Sequence, residues 1–138
     1  VSLFSEAFEQ YGGKISKDAL LVVEGEIQHD EYNGSMVLRA SRILTIDEAR
    51  QRFSRVLHLD FSSAPLPEDF NLRLKHVVEN HRAAHQVTSQ ECPIVLSYQH
   101  AGAVAKIALG EKWRVQVCES LLQSLAHSFG QDRVTLQY

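Results

Sequence analysis

Long apolar runs are missing from this chain. No stretch approaches the roughly 18 consecutive apolar residues that span a bilayer, and the opening residues lack the basic-then-apolar order of a secretory signal. A cytoplasmic protein without membrane contact is therefore expected. Cysteine is scarce: Cys92 and Cys118 are the only two, far apart and with no second pair. They read as reduced, partly buried thiols rather than as a disulfide framework or a zinc site. Pro93 follows the first, the second enters an apolar helix, and neither has the basic surroundings that make a thiol nucleophilic. Clustered carboxylates of the kind that hold two magnesium ions for phosphoryl transfer are also wanting. Asp30 and Glu31 are the only plausible pair, and beside Asn-Gly they read as solvated turn residues. Repeats and low-complexity segments are absent, and no cofactor or metal is expected.

What is present is the composition of a folded globular protein, with 44% hydrophobic and 22% charged residues in 138. That length suits one ordinary domain or two small ones. The net charge of −3 is unevenly spread. Residues 1–35 carry seven acids against two lysines, whereas residues 36–58 carry five arginines against two acids. Only those arginines could favour a polyanion, and arginine is equally at home on a solvated face.

The opening VSLF has the form of a strand end, after which Ser5 can cap a short helix with Phe4, Phe8 and Tyr11 at helical spacing. Gly12-Gly13 stops it. Leu21, Val23 and Ile27 alternate along a strand, Asn33-Gly34 offers the positive φ angles of a tight hairpin turn, and a second strand returns through Met36, Leu38 and Ala40. TIDE, Thr45 to Glu48, has the form of a capping box and predicts a helix to about Phe53.

A second pattern follows. VLHLDF alternates as a strand, Pro65 and Pro67 break the chain, and Phe70, Leu74, Val77, Val78 and His81 fall on one helical stripe. IVLSYQH and AVAKIAL flank Ala101-Gly102 as two strands. Leu121, Leu122, Leu125 and Phe129 share a helix face that ends at Gly130, a residue suited to a left-handed C-cap, and VTLQY forms a last strand. The order β-α-β-β-α-β is that of the split β-α-β, or ferredoxin-like, domain.

A strand end, a helix and then a hairpin correspond to the second half of an OB-fold, whose earlier strands would lie before Val1. The fold expected is thus α+β, with a partial OB-fold over residues 1–44, a helical connector over 45–54 and a small ferredoxin-like domain over 55–138.

LLVVEGEI, YNGSMVLRASRILTIDEARQRF, PIVLSY, LGEKWRV with LLQSL after it, and VTLQY, taken in that order, resemble the C-terminal region of the alpha subunit of bacterial DNA polymerase III. The resemblance runs through nearly the whole chain. It implies part of the OB-fold followed by the domain through which this family binds the tau subunit of the clamp loader, with other replisome subunits reached through the parent chain. It also implies that the catalytic aspartates lie upstream, so this piece of a DNA-directed DNA polymerase is expected to be inert by itself. Two features depart from the family's pattern: Val117-Cys118 stands where a polar helix cap is usual, and NHRAAHQVTSQE is a long loop.

Candidate contact residues follow. In the hairpin loop QHDEYNG, His29 and Tyr32 could stack on single-stranded DNA while Arg39 and Arg42 meet phosphates. Asp30, Glu31, Glu24 and Glu26 oppose this, so only weak binding is expected. At the last strand, Val134 and Leu136 can finish the core, while Leu136 and Tyr138 are candidates for partner contact at a sheet edge. Trp113, between Lys112 and Arg114, reads as core on size and otherwise as a contact residue, so Trp113 and Arg114 are a second candidate patch. HRAAH sets His81 and His85 one helical turn apart, as metal ligands can be. However, Arg82 stands in place of the glutamate of the zinc-protease motif, and no third ligand is close in sequence. The alternative to a polymerase-tethering module is a free-standing OB-type nucleic-acid-binding protein; a small ferredoxin-like enzyme has no acid-base constellation behind it.

Overall fold

The computed structural model describes residues 5–85 and 90–138, which fall into two compact units divided between Ala49 and Arg50. The strand end expected at residues 1–4 lies outside the described residues, as do the Ser5 side chain expected to cap the first helix and the centre of the long loop. Among the described residues no helix is long and apolar enough to cross a membrane.

In the first unit, α1 (Ser5–Tyr11) runs into a single 3-10 turn at Gly12–Lys14. Strands β1 (Leu21–Asp30) and β2 (Ser35–Thr45) then pair antiparallel as a two-stranded sheet. The turn between them is not the two-residue form that Asn33-Gly34 suggests. It spans Glu31 to Gly34, only Gly34 of the pair has positive φ (66°), and its N–H donates to the Asp30 carbonyl at 2.8 Å. Asp30 is the reason. Its carboxylate accepts from the Tyr32 N–H at 3.0 Å and from Asn33 Nδ2 at 2.9 Å, a side-chain-closed turn that holds the backbone right-handed up to Gly34.

Further along, Glu24 faces Arg42 but Gly25 faces Ala40, so Ser41 is a bulge, tied by its hydroxyl donating to the Glu24 carbonyl at 3.1 Å. Gly25 is required there, because a β-carbon at that position would lie 2.2 Å from the Arg39 carbonyl oxygen. The capping box forms as expected at the start of α2 (Ile46–Phe53): the Thr45 N–H donates to Glu48 Oε2 at 2.8 Å, and the Glu48 N–H donates to Thr45 Oγ1 at 3.2 Å. Lys14 Nζ adds bonds of 2.6 and 2.7 Å to the same carboxylate. The Lys14 bond, followed by the Thr45 amide, holds the Glu48 carboxyl below its usual range.

The second unit contains β3 (Val56–Phe61), α3 (Phe70–Ala84), β4 (Ile94–His100), β5 (Ala103–Ala108), α4 (Glu119–Phe129) and β6 (Val134–Gln137). The element order is the one read from the sequence, and the class is α+β. The sheet order is different. In the ferredoxin-like arrangement another strand separates the first two; here β3 and β4 are parallel neighbours, and the sheet runs β5-β4-β3-β6. Burial explains this. VLHLDF and IVLSY occupy the centre and hold the fully buried Leu57, Leu59 and Ile94, while all six residues of AVAKIA, mostly small alanines around Lys106, remain exposed at one edge. Ala101 and Gly102, both with positive φ, make the tight turn that keeps β5 beside β4. The remaining side of β3 is taken by β6, antiparallel.

Leu74, Val78, Leu121 and Leu125 pack their helices against this sheet. Phe61, Phe70 and Phe129 close one end with ring centroids 5.2–5.8 Å apart. Gly130 ends α4, with φ 102° and ψ 142°, a positive-φ geometry outside the left-handed helical well and restricted to glycine.

Candidate partner-binding surface

Strand β6 is an edge strand, as its sequence position suggests, with β3 on one side and no strand on the other among the described residues. Its side chains alternate: Val134 and Leu136 are half-buried against the core, and Thr135 and Gln137 are exposed. Tyr138 is 63% exposed and lines two open grooves. One, of about 610 Å³, runs between α4 and β6 past Leu122, Ala126 and Leu136, with the Arg50–Glu119 ion pair at its rim. The other, of about 510 Å³, is formed with Arg52, Phe53, Ser54 and Arg55, and the Arg52 guanidinium lies 5.6 Å from the centre of the Phe53 ring. An exposed strand edge flanked by grooves that mix apolar side chains with arginine, glutamine and glutamate suits an extended peptide that carries both apolar and polar side chains. The hydroxyl of Ser54 is buried there without a hydrogen-bond partner. Phe53 and Arg55 gave no signal in the sequence beyond closing a helix; they join Tyr138 only because β3 starts beside the end of β6, where the Arg55 N–H donates to the Gln137 carbonyl at 2.7 Å.

Trp113 and Arg114 lie elsewhere. Trp113 is half-buried against the core and lines a pocket of about 320 Å³ with Lys75, Val78 and Arg82. Arg114 donates to the Glu91 carbonyl at 2.8 Å and pairs with Glu111 at 3.7 Å, and mutual hydrogen bonds between Cys92 and Val115 hold this segment in place. This pocket shares no lining residue with the grooves at Tyr138, so the four residues form two patches, not one.

The hairpin residues are not gathered either. Counted through the bulge, the register puts Arg39 and Arg42 on one face of the hairpin, opposite Glu26 and Glu24, and His29 on the other face with Ile27 and Met36. The Arg42 guanidinium reaches Glu24 at 3.2 Å. Tyr32 projects from the turn, 96% exposed. Without the bulge, a spacing of three would set the two arginines on opposite faces.

Burial raises the Cys92 thiol above its ordinary range, so it stays protonated near neutrality. His81, buried in the last turns of α3, is pushed below the ordinary imidazole value, chiefly by desolvation. Sequence spacing offered no third ligand for His81 and His85; the fold supplies Cys118, at the start of α4.

Residues 73–130, from the first turns of α3 to the end of α4, match the family described as DNA polymerase III subunit alpha, C-terminal domain. The chain is similar to the DNA polymerase III subunit alpha of Pseudomonas aeruginosa, with 38% identity over 99% of its length. It is also similar to the corresponding subunits of Vibrio cholerae (33% identity over the whole chain) and Escherichia coli K12 (31% over the whole chain). It spans about 11% of the length of these relatives.

Proposed function

Because this chain belongs to the DNA polymerase III alpha-subunit family, as a piece from its C-terminal region, we propose that it is a non-catalytic protein-binding module tethering a replicative DNA-directed DNA polymerase to the tau subunit of the clamp loader. The parent protein is a nucleotidyltransferase acting in cytoplasmic DNA replication; this piece recruits and does not polymerise. Family membership makes a replisome context the natural one. The observation that carries the reading is the exposed edge of β6, with Tyr138 seated between two grooves. An edge strand offers a partner both backbone hydrogen bonds and alternate side chains, so affinity and selectivity come from one element. Leu136 contributes from the floor of the groove, and Trp113 and Arg114 serve as a separate second contact.

The hairpin is read as the remnant of an OB-fold with weak affinity for single-stranded DNA. Arg42 pairs with Glu24, and Arg39 faces Glu26 across the strands, so the neighbouring carboxylates oppose phosphate contact at both arginines.

The test is Tyr138→Ala titrated with the clamp-loader tau subunit. The side chain is mostly exposed, so the fold should persist. Loss of an interfacial aromatic anchor commonly costs more than about 1 kcal/mol, which weakens binding about fivefold or more. A folded variant with unchanged affinity moves the contact to the Trp113 pocket. Template-directed nucleotide incorporation by the chain alone would overturn the division of roles.

A further inference from the structure

We propose that His81, His85 and Cys118 form a zinc-binding site that clamps the end of α3 to the start of α4. Each of the three residues offers a ligand atom, and these atoms all lie within 4.8 Å of one another. The hydrogen bonds around them prepare the lone pairs. His81 Nε2 is 2.9 Å from the Gln116 carbonyl, so it carries the proton, and Nδ1 is left unprotonated 4.0 Å from Cys118 Sγ. His85 Nδ1 is 3.1 Å from the His81 carbonyl, so it too carries the proton and leaves Nε2 as that ring's lone pair. An imidazole whose other nitrogen donates to a backbone carbonyl has the outer-sphere arrangement that fixes tautomer and ring orientation in metal sites.

The sulfur is prepared as well. Cys118 is the N-cap residue of an eleven-residue helix, which fixes it beside the end of α3, and the Ser120 hydroxyl is 3.0 Å from Sγ, within reach to donate to it. Arg82, the nearest cation in sequence, is directed away and donates to the Lys112 and Arg114 carbonyls.

Two imidazoles and a thiolate make a borderline-soft donor set that selects zinc over magnesium or calcium. With Zn–N near 2.0–2.1 Å and Zn–S near 2.3 Å, tetrahedral ligand atoms stand about 3.5 Å apart, so a closing movement of about 1 Å shared between the His85 ring and the Cys118 side chain completes the set. His85 is exposed and can turn. The fourth position faces a groove of about 520 Å³ between the helices, lined by His76, Asn80, Ser120 and His127, where water serves as ligand. Zinc held there links the last turn of α3 to the first turn of α4, and its binding energy adds to that of the fold. None of its three ligands lines the grooves at Tyr138.

Cobalt(II) reports on such a site directly, because a thiolate bound to tetrahedral cobalt gives a sulfur-to-metal charge-transfer band and intense visible d–d bands. Titrating the reduced chain with cobalt should develop these bands to one equivalent, and zinc should bleach them. Cys118→Ser should remove the charge-transfer band, and Cys92→Ser should leave it intact. His85→Ala, a change at an exposed side chain that the fold tolerates, should weaken zinc at least about tenfold, since loss of even an outer-sphere partner costs that much. Failure of the bands to appear at saturating cobalt overturns the proposal. So does a charge-transfer band that persists in Cys118→Ser, or an unchanged zinc affinity in folded His85→Ala.

Discussion

Gly25→Ala is the sharpest perturbation of the hairpin. The new β-carbon would stand 2.2 Å from the Arg39 carbonyl oxygen, 0.8 Å inside the 3.0 Å limit that β-carbons essentially never cross, and 2.9 Å from the Arg39 carbonyl carbon. Both contacts are with backbone, so no side-chain rotation relieves them and the strands must part beside the Ser41 bulge. Overpacking of this kind costs about 1–3 kcal/mol, and each ladder hydrogen bond stretched by the separation costs about 1 kcal/mol more. A total near 3 kcal/mol raises the population of the locally opened hairpin by about two orders of magnitude. A sheet of two strands has little reserve against that. The assay is amide hydrogen exchange followed by mass spectrometry. Peptides covering residues 21–45 should exchange roughly a hundredfold faster in the variant, and peptides from β3 and β4 should keep their rates because they belong to the other unit. A Gly25→Ala protein whose hairpin exchanges at the parent rate would refute the close approach of β2 on which the reasoning rests.

Leu125 is fully buried between helix and sheet; Leu125→Ala should cost about 2–5 kcal/mol, read as a lower denaturation midpoint, and a loss under 1 kcal/mol would show a core that collapses around the gap. Glu48 has a folded pKa below its unfolded value of 4.5, mainly through Lys14; its contribution is therefore full above about pH 4.5 and disappears as pH falls through the lowered value. Glu48→Gln should flatten that acid limb in a pH series of hydrogen-exchange protection for α2, and an unchanged limb would remove Glu48 as its source. Single-stranded DNA should bind weakly and be released by moderate salt; tight, salt-resistant binding abolished by the Arg39→Ala, Arg42→Ala double substitution would show that the cross-strand glutamates do not neutralise those arginines.

Local features were legible in the chain itself. The Thr45–Glu48 capping box, the stripe Phe70-Leu74-Val77-Val78-His81, the alternation of VLHLDF and the stop at Gly130 each depend on interactions within a few residues, which propensity and periodicity report. The likeness to polymerase alpha subunits was also readable, because it rests on the order of such segments. The edge position of β6 could be anticipated too, but the neighbours of the central strands could not. Both sheet orders satisfy β-α-β-β-α-β, and the choice follows from which strands bury most apolar surface in competition with all the others. The same limit applies at finer scale. One extra residue at Ser41 reverses the face of everything before it in β2, Asp30 converts a two-residue turn into a longer one, and Cys118 lies near His81 and His85 across 32 residues or more of intervening chain. Sequence determined which elements form and where they stop, because those energies are local; tertiary structure decided which side chains share a face, a groove or a cluster, because those energies exist only after distant segments have packed.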